Sequence, residues 1–265
     1  MADTNSGERI RIGLTAVILA DQVAFLSRWG RYLSKQIGRP VSFIARDSYQ
    51  AILDLMFSGQ LEAAWICGYP YVLHRNQLQL LPMPLYQGRP LYQSYLIRPQ
   101  GNPDGLGGWA DLKGKVLAYS DPLFNSGWLV PQAQLREAGV ASKDLRRSFF
   151  THAHRNVAEA VAARLAQAGC IDGYIWETMR RQKMPAVDQT EVIWKSALYG
   201  FPPLVARTGV PDDIVASLRA ALIHMTGDAE GRQLLDALNL DGFKPESSKV
   251  FDSIGALVAA QDRST

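Results

Sequence analysis

The sequence predicts an α/β protein of two similar lobes, each a mainly parallel sheet with flanking helices. Three observations carry this. A phrase recurs, Gly59-Gln60-Leu61-Glu62-Ala63-Ala64-Trp65-Ile66-Cys67-Gly68 being echoed by Gly169-Cys170-Ile171-Asp172-Gly173-Tyr174-Ile175-Trp176-Glu177-Thr178. Apolar runs of strand length alternate twice with segments of helical period, giving two βαβαβ series whose crossovers are right-handed. Two extended segments, 91–98 and 192–197, bracket the second series and read as hinges. Lobe 1 is then 8–97 with 198–265, and lobe 2 is 98–197.

Along the chain, 9–14 reads as the first strand, 15–21 as a loop and 22–37 as an amphipathic helix stopped by Gly38-Arg39-Pro40. A second strand, 41–45, precedes a helix at 48–59 whose apolar Ala51, Ile52, Leu55 and Met56 fall at helical spacing. The third strand is 63–67. After the Pro/Gly-rich stretch 99–108, the segment 112–119 leads into a strand and 126–138 is a helix. Phe149-Phe150 is a short strand, 156–168 a helix and 171–176 the strand that echoes the first lobe. Segment 204–207 returns to the first sheet, and the helices 212–225, 229–237 and 250–261 are expected to pack on it. In the echo, Cys67 and Glu177 occupy equivalent strand ends. Ligands of open α/β sheets gather beyond the carboxyl ends of the strands, so these two residues are expected to face one another across a cleft.

Composition narrows the function classes. The chain has 265 residues, 47% hydrophobic and 20% charged, with a net charge of +3, which argues for a folded protein and against a nucleic-acid surface. The basic pair Arg146-Arg147 and the cluster Arg180-Arg181-Gln182-Lys183 read as solvated helix ends or loops. No stretch is long and apolar enough for a membrane span. The polar start, residues 1–8, lacks the apolar region of a secretory signal, a pattern shared by cytoplasmic proteins and by secreted ones whose signal has been removed. Two cysteines, Cys67 and Cys170, without zinc-ligand spacing predict no metal centre, and their positions at opposite poles of matching strands argue against a disulfide. No cofactor is expected.

Five motifs carry a family resemblance: Ile12-Gly13-Leu14-Thr15; Asp47-Ser48-Tyr49; the run from Ala64 through Cys67-Gly68-Tyr69-Pro70-Tyr71 to Val72; Ser120-Asp121-Pro122-Leu123-Phe124-Asn125-Ser126-Gly127-Trp128; and His152-Ala153-His154-Arg155-Asn156-Val157. With them the chain resembles the phosphate/phosphite/phosphonate-binding family of periplasmic solute-binding proteins. The resemblance covers nearly the whole chain. It implies a type II two-lobed clamshell that closes on a small ligand without transforming it, a monomer in the periplasm whose signal peptide has been removed. It also implies ligand-binding roles for Thr15, Tyr49, Tyr71, Phe124, Asn125, Ser126 and His154. The loop leading to Ser126 makes chemical sense of this, since the amides and positive dipole end of a helix start suit an oxyanion.

Two departures from the family pattern shape the ligand expected. Where relatives carry a Ser-Thr-Ser run, this chain reads Phe124-Asn125-Ser126, so two hydroxyl donors are lost and a dianion would be poorly compensated. Where the family has Gly at the cleft mouth, this chain has Cys67, a soft ligand suited to trivalent arsenic, which is uncharged as its trihydroxide at neutral pH. The chain is therefore expected to be similar to arsenite-sensing relatives, holding arsenic through Cys67 and signalling to the periplasmic domain of a sensor histidine kinase, with Glu177 accepting a ligand hydroxyl or amine. The alternative is a phosphite, phosphonate or phosphate receptor serving an ABC permease. An enzyme on this scaffold, with Ser126 or Cys67 as nucleophile and His154 as base, is disfavoured because no nucleophile elbow is present. A metal pair at His152 and His154 is a weak signal on its own.

Overall fold

The computed structural model describes residues 9–15 and 22–263, so the loop expected at 15–21 lies, apart from Thr15, outside the described residues. In chain order the elements are β1 (Ile10–Thr15), α1 (Gln22–Ile37), β2 (Val41–Arg46), α2 (Tyr49–Phe57), β3 (Ala63–Trp65), α3 (Gly68–His74), β4 (Leu78–Leu80), β5 (Met83–Leu85), β6 (Leu91–Tyr92) and β7 (Ser94–Pro99). There follow β8 (Val116–Tyr119), α4 (Val130–Glu137), β9 (Arg147–Phe150), α5 (His154–Ala162), β10 (Ala168–Asp172), α6 (Gly173–Arg181), α7 (Pro185–Asp188) and β11 (Thr190–Lys195). The last are β12 (Tyr199–Gly200), β13 (Leu204–Arg207), α8 (Asp212–His224), α9 (Ala229–Ala237), β14 (Gly242–Lys244) and α10 (Asp252–Asp262).

Two compact units result. The first comprises residues up to Cys67 together with Leu73–Pro90 and Phe201–Ser248; the second comprises Gly68–Val72, Leu91–Gly200 and the residues from Lys249 onward.

The first unit is built on the sheet β2-β1-β3-β13-β4. β1 pairs in parallel with β2 and β3, and the returning β13 pairs antiparallel with β3 and β4. Helices α1 and α2 pack on these strands because one face of each is apolar: Trp29 of α1 stacks on Phe43 of β2 at 4.7 Å, and Ile52, Leu53 and Met56 of α2 are buried. Glu62, just before β3, accepts from the Arg11 amide at 2.7 Å and from its guanidinium at 2.7 Å, which fixes the register of β3 beside β1.

The second unit is built on the sheet β11-β7-β10-β8-β9. Its three adjacent strands β10, β8 and β9 are parallel, while β7 runs antiparallel to β10 and β11 antiparallel to β7. Leu96, Leu112, Leu117, Leu135, Ala168 and Cys170 belong to a buried core cluster of this unit, against which Trp128 packs. Helix α5 lies close against β10 because Gly169 has no side chain: a methyl there would stand 2.5 Å from Val157 Cγ1 and 2.8 Å from Val161 Cγ2.

Four sequence expectations are corrected. The strand expected at 171–176 ends at Asp172, whose carboxylate accepts the Tyr174 and Ile175 amides and starts α6. The helix expected from 156 begins at His154 and ends at Ala162, and the helix expected from 126 begins as a π-helical turn, Asn125–Leu129, that runs into α4. The final helix, expected on the first sheet, packs in the second unit against α4 and the π turn.

Candidate functional site

In the second unit the carboxyl ends of β8, β9 and β10 are each followed by a helix start: the π turn after Ser120, α5 at His154 and α6 at Gly173. First-turn amides of a helix have no intrahelical acceptor, so parallel neighbours with this topology gather donors and positive dipole ends at one edge. The side chains found there are Ser120, Phe124, Asn125, Ser126, His154 and Asp172, all buried.

Contacts knit these residues together. A methyl at Gly127 would lie 1.5 Å from Ser120 Oγ and 3.4 Å from His154 Cε1, so Gly127 lets the turn settle onto both. The Phe124 ring lies 4.6 Å from the His154 ring. The Asp172 amide donates to His154 Nδ1 at 3.1 Å, which leaves the proton of the neutral ring on Nε2 as a donor. Ser94, opposite Asp172 on β7, donates its hydroxyl to the Ser126 carbonyl at 2.7 Å, and Asn125 Nδ2 donates to the Tyr92 hydroxyl at 3.1 Å. The hydroxyls of Ser120 and Ser126 are buried and make no hydrogen bond among the described residues.

Electrostatically the site is free of strong cations. Among the described residues the fully buried polar and charged side chains include neither Lys nor Arg. Burial pushes His154 down to about 3, so its ring is neutral at physiological pH, and pushes Asp172 up to about 7 despite two amide hydrogen bonds to its carboxylate. Asp121, next to Ser120, is also raised by burial; its carboxylate accepts the Leu123 amide and faces the exposed His152 at 3.8 Å. A set of neutral donors around buried hydroxyls is suited to holding an anion by hydrogen bonds.

In the first unit, Thr15 closes β1, Tyr49 opens α2 after β2, and Cys67 follows β3 as the N-cap of α3. All three are buried at the carboxyl edge of that parallel set. The Thr15 hydroxyl makes no hydrogen bond among the described residues. Tyr71, in the part of α3 that belongs to the second unit, packs on Phe251 with ring centroids 4.8 Å apart.

Glu177 does not stand at a strand end. It lies on the second turn of α6, paired with Arg180 at 2.6 Å and Lys195 at 4.0 Å and receiving the Tyr95 hydroxyl at 3.3 Å. The true counterpart of Cys67 is Asp172. Asp172 ends the buried strand β10 and Cys67 lies two residues past the buried strand β3, each is the N-cap of the next helix, and Cys67-Gly68-Tyr69 matches Asp172-Gly173-Tyr174. Matching the two phrases at the shared Gly-Tyr pair, rather than at their first glycines, gives this register. His152 and His154 form no pair, since His152 is exposed with φ 62° while His154 is buried at a helix start, and no cluster of three or more metal-ligating side chains occurs among the described residues. Cys67 and Cys170 form no disulfide, Cys170 being sealed in the core of the second unit.

A two-unit mixed α/β fold with donors gathered at strand ends is that of two-lobed periplasmic binding proteins, and solved structures bear this out. The chain superposes with a TM-score of 0.87 on the binding protein component of an ABC phosphonate transporter from Pseudomonas aeruginosa, at 22% identity over 96% of this chain and 87% of that one. It superposes with a TM-score of 0.84 on PhnD1 from Prochlorococcus marinus in complex with methylphosphonate, at 18% identity over 96% and 98% of the two chains. Residues 13–251 match the family described as ABC transporter, phosphonate, periplasmic substrate-binding protein, and the chain belongs to that family. That family is one of periplasmic substrate-binding proteins. A curated relative, the phosphate-import protein PhnD of Mycolicibacterium smegmatis, is 26% identical over 208 residues, which are 71% of this chain; the chain spans 63% of that relative's length. Among the described residues no helix is long and apolar enough to cross a membrane.

Proposed function

We propose that the chain is the receptor of an ABC importer, acting in the periplasm, and that its ligand is a small tetrahedral phosphorus oxyanion: phosphite, a simple phosphonate or phosphate. The observation that carries this reading is the edge of the second unit, where the buried, unpartnered hydroxyls of Ser120 and Ser126 and the neutral ring of His154 flank a helix start. Buried hydroxyls without partners are costly, and an oxyanion supplies the acceptors they lack. Ser120 offers one hydroxyl in place of the two missing from the Phe124-Asn125-Ser126 run. Phe124, its ring tilted against that of His154, adds an apolar wall suited to the methyl of methylphosphonate or the hydrogen of phosphite. The names of the relatives, a phosphate importer and a methylphosphonate complex, point the same way.

The arsenite reading has less to stand on. A soft centre gains from several thiolates, and Cys67 can offer only one, because Cys170 lies in a hydrophobic core where burial pushes its thiol up and keeps it protonated. Signalling to a sensor kinase draws no support from the family match. A thermal-shift panel of phosphate, phosphite, methylphosphonate, arsenate and arsenite on the wild type and Cys67→Ala tests the choice. A ligand at about 100 times its dissociation constant adds about 2.7 kcal/mol of stability, and the phosphorus anions should give that shift in both proteins. A shift with arsenite alone, abolished by Cys67→Ala, would reverse the assignment.

A further inference from the structure

In the first unit, β2 is an edge strand, paired in parallel with β1 alone. The Ile10 amide donates to the Pro40 carbonyl, and in a parallel ladder this register turns the backbone groups of Ser42 and Ile44 toward β1 and those of Val41, Phe43 and Ala45 outward. Ser34 Oγ accepts the Val41 amide at 2.8 Å, and the Arg46 guanidinium donates to the Ala45 carbonyl at 2.8 Å. The Phe43 N–H and C=O and the Ala45 N–H have no hydrogen-bond partner among the described residues. Beside them runs a groove of about 440 Å³ between α1 and β2, walled on the helix side by Val23, Leu26 and Gly30. Gly30 lets the helix approach the strand, since a methyl there would stand 3.2 Å from the Val41 carbonyl oxygen. Val23 leaves an apolar side chain in water, 84% exposed.

The two elements that wall the groove carry one sign of charge. α1 holds Arg28, Arg31 and Lys35, and β2 holds Arg46, with no Asp or Glu in either; Asp21 and Asp47 lie just outside their ends. None of the four cations is ion-paired among the described residues, and the nearby carboxylates of Asp213 and Asp228 are taken by Arg39 and Tyr32. We propose that this edge docks an extended, acidic segment of a partner protein, which adds as a sixth strand beside β2. Its backbone supplies the partners that Phe43 and Ala45 lack. Phe43 stacks on Trp29, so one face of the added strand looks to α1, and every second side chain fills the groove over Val23 and Leu26. The alternate side chains lie on the face of Ile44 and Arg46, where carboxylates draw the exposed Arg46 guanidinium from the Ala45 carbonyl into a stronger, charge-assisted bond. Cations on an edge strand ward off pairing with a second copy, whose edge is equally basic, while attracting an acidic strand. The groove lies on the flank of the sheet and is independent of the oxyanion reading.

Fluorescence anisotropy of the full chain at low salt tests this with a labelled heptapeptide in which Glu and Val alternate, and with its counterpart in which Lys replaces Glu. The wild type should bind the acidic peptide at least about tenfold more tightly than the basic one. Val23→Ser, at an exposed position, and Ala45→Pro, which removes only an outward N–H, should each weaken the acidic peptide by about tenfold or more. Arg46→Glu should cut the preference for the acidic peptide below about threefold. Hydrogen exchange on the wild type decides even where a variant does not fold: saturating acidic peptide should slow the Phe43 and Ala45 amides by about tenfold and leave Ile44, already bonded to β1, unchanged. Equal binding of the two peptides overturns the inference, as does exchange at Phe43 and Ala45 that the peptide does not alter. So does binding that survives in both folded Val23→Ser and folded Ala45→Pro. A dimer of the wild type that Ala45→Pro dissociates, seen by sedimentation, would give the edge to a second copy and overturn the acidic partner.

Discussion

His154 and Asp172 are joined by one hydrogen bond, from the Asp172 amide to His154 Nδ1, and burial moves their side chains in opposite directions. His154 falls from 6.5 to about 3, so between those values the unfolded chain binds more protons than the folded one and stability rises with pH. Asp172 rises from 3.8 to about 7, so over that window the folded chain binds more protons and stability falls as pH rises. From about pH 4.5 to 6.5 the two slopes oppose each other. Removing Asp172 unmasks His154: relative to wild type, Asp172→Asn should gain about 1.4 kcal/mol per pH unit across that range in urea unfolding. A stability difference that does not change with pH contradicts the buried, proton-holding carboxyl. None of this was legible from the residues one at a time, because the shifts come from burial at the sheet edge and not from neighbours in sequence.

At the scale of elements, the π turn Asn125–Leu129 depends on Gly127, whose missing side chain makes room for Ser120 and for the His154 ring. Gly127→Ala should lose about 1–3 kcal/mol through overpacking, and Ser120→Gly, which clears both Oγ and Cβ from the path, should restore part of it. If Gly127→Ala unfolds at the wild-type denaturant midpoint, the close approach is not what sets the turn. The alternating strands and helices up to Cys67 follow from periodicity in the sequence, since each helix there has one apolar face and each strand a short buried run. The echo was legible as a repeat but not in its register. Its second copy carries an Asp that caps a helix, and capping converts Tyr174, Ile175 and Trp176 from an expected strand into the buried face of α6. Aligned at its first glycines, the echo singles out Glu177, a partly buried ion-pair residue of α6, in place of Asp172. The place of α10 was equally hidden, because its packing on α4 joins segments more than a hundred residues apart.

For the whole molecule, the chain passes between its two units at 67/68, 72/73, 90/91, 200/201 and 248/249, so each unit is assembled from discontinuous segments. Such interleaving ties the folding of one unit to that of the other and makes isolated halves unsuitable for binding tests; the full chain is the object to measure. The family, read from motifs between residues 12 and 157, holds for residues 13–251, while the ligand's identity turns on a few side chains at strand ends. The central claim is that the hydroxyl-lined edge of the second unit holds a phosphorus oxyanion. Titration calorimetry with methylphosphonate on the wild type and Ser126→Ala tests it most directly. Loss of one hydrogen bond to a charged ligand should weaken binding by about 10- to 150-fold, with stability nearly unchanged because the Ser126 hydroxyl has no partner among the described residues. Equal affinity in the two proteins, or no binding to the wild type, would contradict the account.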